Sequence, residues 1–348
     1  MKFLKWSLIG LALSAGPILA CAVAPQHNKA VEIADESAII IWNPATKTQH
    51  FIRRASFKSD SPDFGFLVPT PTKPELAEAS DEAFSHLAKV TAPRIVTQKK
   101  PEESPGCGCS SAAKQFAAVG NAVQVLEEKR VAGFDAAVLA ADDAATLGKW
   151  LKDHDYEFSP ALEQWVKPYL AKGWKITAFK IAKSGDLPTV ATSAVRMTFT
   201  TDQPYFPYRE PHGQAAPAGA IGRRLLRVYF VGDHKEKGTL GESKKWPGEV
   251  AWANRLSPDA AAELVKHAKL PAGALPESPW LTEFEDHSSP RPGTDDVYFA
   301  AAADERSVER PPHVQYVSRP LPSAAMCCVL AAYLFVPQLG RLFRGKRK

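Results

Sequence analysis

Apolar residues recur along this chain with two periods, and the changes of period mark its elements. Val31–Asn43 (VEIADESAIIIWN) is rich in β-branched residues and reads as a strand, with His50–Lys58 alternating as its hairpin partner. Phe64–Pro71 is a third strand, ended by Pro69 and Pro71 because proline has no N–H to give a ladder. Pro74–Val90 changes to helical spacing: Leu76, Phe84, Leu87 and Val90 supply an apolar side, and Pro74 and Glu75 suit a first turn. Residues 98–113 are Pro, Gly, Ser and charge, the composition of an exposed loop.

The second half of the body repeats the alternation. Asn121–Ala140 reads as two strands joined near Ala132 and Gly133. Asp142 caps a helix running to Tyr156, with Leu147, Trp150 and Leu151 on one face. Ser159, Pro160 and Gly173 are the cap, first position and stop of another helix, in which Pro168 predicts a kink or break. Trp174–Ala182, Ala194–Thr201 and Arg224–Gly232 are three more strands, with a long Pro/Gly/Ala-rich loop at 202–222. From about 233 the pattern thins, apart from a capped helix at Ser257–Leu270 and a stiff, proline-rich stalk from Pro311. The class predicted is α+β, a mostly antiparallel sheet region with helices packed beside it.

The ends add a destination. Lys2 and Lys5 precede an apolar run, Leu8–Leu19, and small residues follow at Ala20–Ala24, the layout of a secretory signal. Cleavage after Ala22 fits the small residues best. Ile18–Cys21 also resembles a lipobox that would lipidate Cys21, and cleavage after Ala20 would leave Cys21 as an ordinary first residue. At the other end, Leu321–Gly340 is mostly apolar and close to one bilayer span, and Arg341, Arg344, Lys346, Arg347 and Lys348 follow at once. Cations stay on the cytoplasmic side, so the expectation is an exported, single-pass protein with its body outside. The expected division is 1–22 signal peptide, 23–235 α+β domain, 236–310 less regular extension, 311–320 stalk, 321–340 transmembrane helix and 341–348 cytoplasmic tail.

Charge and cysteine then narrow the chemistry. The net charge is +5, but the cations of the two ends account for more than that and leave the body at −2. A body without a basic face excludes nucleic acid as a natural partner. Of the five cysteines, Cys327 and Cys328 lie in the apolar run. Cys21, Cys107 and Cys109 remain, an odd number in an oxidising compartment. Cys107-Gly108-Cys109 fits a structural disulfide, within itself or to Cys21. A redox pair would need a lowered pKa and exposure, and a metal site would need more ligands than two local sulfurs. No metal and no cofactor is expected.

Other candidates have plain alternatives. Asp142 and Asp143 point about 100° apart on a helix and suit capping better than an acid pair. Asp153-His154-Asp155 could relay a proton, but a histidine at a helix end also complements the dipole. Gly-x-Ser-x-Gly and His-Glu-x-x-His do not occur. Tyr205, Phe206, Tyr208 and Arg209, interleaved with prolines, suit a contact loop, or else rings folded back over a sheet edge.

Several of these segments share one resemblance. FGFLVPTPTKPELAEASDEAFSHLAKVTAPR, then VAGFDAAVLAADDAATLGKWLKDHDYEFSPALEQWVKPYLAKGWKITAFKIA, then VRMTFTTDQPYFPYR and LRVYFVG, occur in order. Together they resemble domain of unknown function family 2330, found in bacterial exported proteins, over about 25–235. The resemblance implies secretion, a membrane tail in many members, and cysteines near the mature start and in the mid-chain loop. It implies no activity and carries over no catalytic residue. The expectation is a non-enzymatic binding or structural module of the cell envelope, anchored through its C-terminal helix, with an envelope protein or ligand as partner. The alternative is a thiol–disulfide redox protein using Cys107 and Cys109.

Overall fold

A computed structural model of the chain describes residues 22–24, 31–59, 63–99, 125–154, 156, 158–182, 189–191, 194–211, 225–288 and 291–317. The chain divides into two units, one of residues 1–92 and 111–310, the other of 93–110 and 311–348. Cys21, Cys107 and Cys109, the apolar run of the signal, the span 321–340 and the basic tail lie outside the described residues. Among the described residues, no helix is long and apolar enough to cross a membrane.

In chain order the elements begin with β1 (Ala22–Ala24), β2 (Val31–Asn43), β3 (Thr48–Ser59), β4 (Asp63–Thr70), β5 (Glu75–Glu78), α1 (Glu82–Val90) and β6 (Ile95–Lys99). There follow β7 (Val125–Val131), β8 (Phe134–Leu139), α2 (Ala144–Asp153), α3 (Pro160–Leu170), β9 (Lys175–Ala182), β10 (Thr189–Ala191), β11 (Val195–Thr200) and β12 (Tyr205–Phe206). The last are β13 (Leu226–Gly232), β14 (Glu236–Leu240), β15 (Lys244–Lys245), β16 (Glu249–Arg255), α4 (Pro258–His267), β17 (Trp280–Asp286), β18 (Val297–Ala301) and β19 (His313–Val317). The class is mixed α+β, mostly sheet, with four helices among the described residues.

The larger unit is layered. One sheet runs β1-β4-β9-β8-β7, and a second runs β16-β17-β13-β2-β3-β11-β5 with β10 beside β3. Side chains alternate across a strand, so each sheet has two faces to cover. The sheets face each other through Ile40, Phe51, Met197 and Phe230 on one side and Phe66, Phe134 and Phe179 on the other. Helices α2 and α3 cover the outer face of the first sheet through Leu147, Trp150, Trp165 and Val166. Helices α1 and α4 cover the outer face of the second, where Ile39, Ile41 and Tyr229 meet Phe84, Leu87 and Leu264. A strand covered on both sides loses its alternation, and Ala38–Ile41 are fully buried throughout. That strand also forms a parallel pair, with β13.

Four expectations change. Pro74–Val90 is not one helix. Glu75–Glu78 forms β5, with Leu76 opposite Met197, and the helix starts only at Glu82. The cap of α2 is Asp143, whose side chain accepts from Thr146 N at 2.7 Å. Pro168 does not break α3, which continues to Leu170. It sits in the last turn, where the missing N–H costs one bond near the end of the ladder. Finally, 236–310 is regular and belongs to the same unit: β17 pairs with β13 along seven residues, and β16 with β17.

The smaller unit contains the parallel pair β6 and β19, from His313 opposite Ile95 to Val317 opposite Lys99. Residues read as a stalk are therefore partly a strand.

Candidate functional site

The helical cover of the first sheet stops short of its β7 edge. Cross-strand registers define two rows on the helix-facing side: Glu128, Ala137, Ala178 and Leu67, then Arg130, Asp135, Lys180 and Gly65. The middle of the first row is two alanines, which leaves a low apolar floor. A cavity of about 300 Å³ opens over it, walled by Trp150, His154 and Tyr156. Gly65 is required there, since a Cβ would stand 2.9 Å from the Tyr156 ring. Gly148 of α2 likewise admits the Phe158 ring, which a Cβ would meet at 2.3 Å. The Lys180 ammonium lies 5.5 Å from the centre of the Tyr156 ring, a cation–π distance.

Trp150 and His154 form the inner wall as a pair. Their rings stack at 4.0 Å and 18°. His154 Nδ1 is 2.6 Å from the Trp150 carbonyl oxygen. A carbonyl only accepts, so Nδ1 carries a proton and donates it. His154 is 3% exposed and Trp150 4%, and neither His154 Nε2 nor Trp150 Nε1 has a hydrogen-bond partner among the described residues. Asp135 Oδ2 is in the same position, while its Oδ1 stands 3.6 Å from Arg130 Nε. Three buried polar atoms without a partner among the described residues thus lie around one cavity.

The sequence-predicted residues fall elsewhere or in other roles. His154 does not form a relay with Asp153, which sits near Lys149 at 3.8 Å; Asp155 lies outside the described residues. Tyr205, Phe206 and Tyr208 are not a contact surface in this arrangement, because their rings are buried. Tyr205 is fastened by Gln49, which accepts from its N–H at 3.0 Å and donates to its carbonyl at 2.9 Å, and its hydroxyl donates to Pro69 O. Phe206 meets Phe51 edge to face at 6.0 Å. The Tyr208 hydroxyl donates to Asp286 at 2.6 Å.

Arg209 keeps part of its surface but is also tied down. Its Nη2 donates to Asp295 at 2.7 Å, its backbone N–H to Asp296 at 3.2 Å, and its carbonyl accepts from Trp165 Nε1. Tyr169 donates to the same Asp296 at 2.8 Å. Burial pushes the Asp296 carboxyl up to about 6, against the pull of Tyr169 and Arg209. The loop is a strap between layers. Its prolines and aromatics suit either role, and only the buried partners Gln49, Asp286 and Asp296 decide.

Sequence reasoning missed the cavity. Its signals are faint: Ala137 in β8, Ala178 in β9 and Gly65 in β4, brought together by long-range register. Among the described residues, no group of three or more His, Cys, Asp or Glu is placed to hold a metal ion.

Comparison with known proteins gives a family without an activity. A family profile described as "Uncharacterized protein conserved in bacteria (DUF2330)" matches residues 17–299. No curated protein matches the chain. The crystal structure of baculovirus P35 is similar at a TM-score of 0.36 and 8% identity, over 84% of this chain and all of that one. A likeness at that level carries no argument.

Proposed function

We propose, for a chain that belongs to the DUF2330 family of uncharacterised bacterial proteins, a membrane-tethered binding module of the cell envelope that holds a small ligand in the cavity over Ala137 and Ala178. The observation that carries this reading is the wall of that cavity, where buried and unpaired His154 Nε2 and Trp150 Nε1 stand beside an apolar floor and a charged rim. Binding sites combine these features: apolar surface for affinity and a few placed polar groups for orientation. The signal-like start and the apolar run before a basic end support export and a single anchor. The test is ligand-observed NMR of a fragment library against the full chain in detergent, with and without Ala137→Leu at an unchanged melting temperature. Fragments that bind only the wild type support the reading. Equal binding to both contradicts it.

A second reading keeps Cys107 and Cys109 as a thiol–disulfide pair. The motif itself supports it, since two thiols one residue apart stand close enough in sequence to act as attacking and resolving groups. Non-reducing mass spectrometry decides: a pair reduced by mild reductant supports exchange, and a resistant one contradicts it.

A further inference from the structure

The charges of the rim are ordered by the sheet register, and their order specifies a ligand. On the helix-facing side, Asp135 stands between Arg130 and Lys180 in one cross-strand row, and Glu128 occupies the next row of the same face. Lys129 alternates to the other side, where its ammonium donates to Leu76 O at 2.6 Å. The rim therefore offers two cations and two carboxylates within neighbouring positions, about 5 Å apart across strands. It favours neither a lone anion nor a lone cation. Beyond the rim, the floor is apolar and the inner wall holds stacked rings.

We infer that the cavity takes a free α-amino acid with an apolar side chain. The ammonium group donates to the part-exposed Asp135 carboxylate and to Glu128 in the neighbouring row. The carboxylate lies against Lys180 and Arg130. The side chain rests on Ala137 and Ala178 below Trp150 and Tyr156. A volume of about 300 Å³ sits at the small end of the range for ligand pockets and leaves no room for an extended peptide. A peptide end would also present one charge where the rim presents partners for both. This inference rests on the cavity being a binding site, and its test separates the two.

The probes are L-phenylalanine, 3-phenylpropanoate and 2-phenylethylamine, which share a phenyl body and differ in the charges they carry. Each is titrated into the full chain in detergent, following the Trp150 indole N–H resonance, assigned with Trp150→Phe. L-Phenylalanine is expected to bind at least about tenfold more tightly than either partial probe. Asp135→Asn is expected to bring its affinity down to that of 3-phenylpropanoate, and Lys180→Gln to that of 2-phenylethylamine. Both substitutions lie at the rim, so they test recognition without opening the core. Equal affinities for all three, abolished by Ala137→Leu, overturn the amino-acid inference and leave the cavity as a binding site. If no probe shifts the Trp150 resonance, or if Ala137→Leu changes nothing, both are overturned.

Discussion

Arg291 donates from Nη1 to Glu36 Oε2 at 3.0 Å, joining positions 255 residues apart inside the molecule. Both side chains are essentially without exposed surface, and Arg53 holds the other carboxylate oxygen at 3.2 Å. One carboxylate thus serves two buried guanidinium groups. Removing a single partner of such a pair costs about 3–5 kcal/mol, because the remaining charge stays buried. Glu36→Ala is expected to lower the unfolding free energy by that amount, read from the shift of the urea midpoint. Cutting the chain after Asp233 is expected to prevent folding altogether, since it removes Arg291 and the strands β16 and β17. A cut chain that melts cooperatively would make 236–310 a separate extension.

Glu236 gives stability a pH dependence of its own. Burial, with Asp233 nearby, pushes its carboxyl up to about 8 from an ordinary value of 4.5. The folded protein therefore binds a proton here that the unfolded chain releases. The associated stability is full below about pH 4.5 and is lost as pH rises toward 8. The difference between Glu236→Gln and wild type is expected to grow in the variant's favour between pH 5 and 8.5, by roughly 4 kcal/mol at most. Urea midpoints at the two pH values measure it, and parallel pH profiles would show that Glu236 is ionised in the fold.

The buried strap predicts a stability effect rather than a recognition effect. Ala at Tyr205, Phe206 or Tyr208 is expected to cost about 3–5 kcal/mol each, as for other buried rings. An unchanged melting temperature in any of the three would return the loop to the surface.

How far these features could be read in advance depended on the range of the interaction. The hairpin β2–β3, the turn at Ala132 and Gly133, and the caps Ser159 and Ser257 are local, and they were legible. Ala132 and Gly133 both take positive φ, 53° and 82°, as a two-residue hairpin turn of that hand requires. Glu75–Glu78 was not legible, because Leu76 fits a first helical turn as well as a strand until Met197 is set opposite it. The cavity floor was hidden for the same reason. Ala137 and Ala178 become neighbours only through the register of β8 on β9.

Export and anchoring make a separate expectation. A reporter active only outside the cytoplasm is expected to be silent when fused after Lys348 and active when fused near Pro311. Deleting 321–348 is expected to release the body from the membrane. Activity after Lys348 would reverse the topology, and retention without 321–348 would point to lipid on Cys21.

The most direct measurement is native mass spectrometry of the full chain extracted from its own membranes, wild type beside Ala137→Leu. The expected result is a membrane-fraction protein that carries a small molecule in the wild type and loses it in the variant. The same bound mass in both, or a chain recovered only from the cytosol, would contradict a tethered module that binds through this cavity.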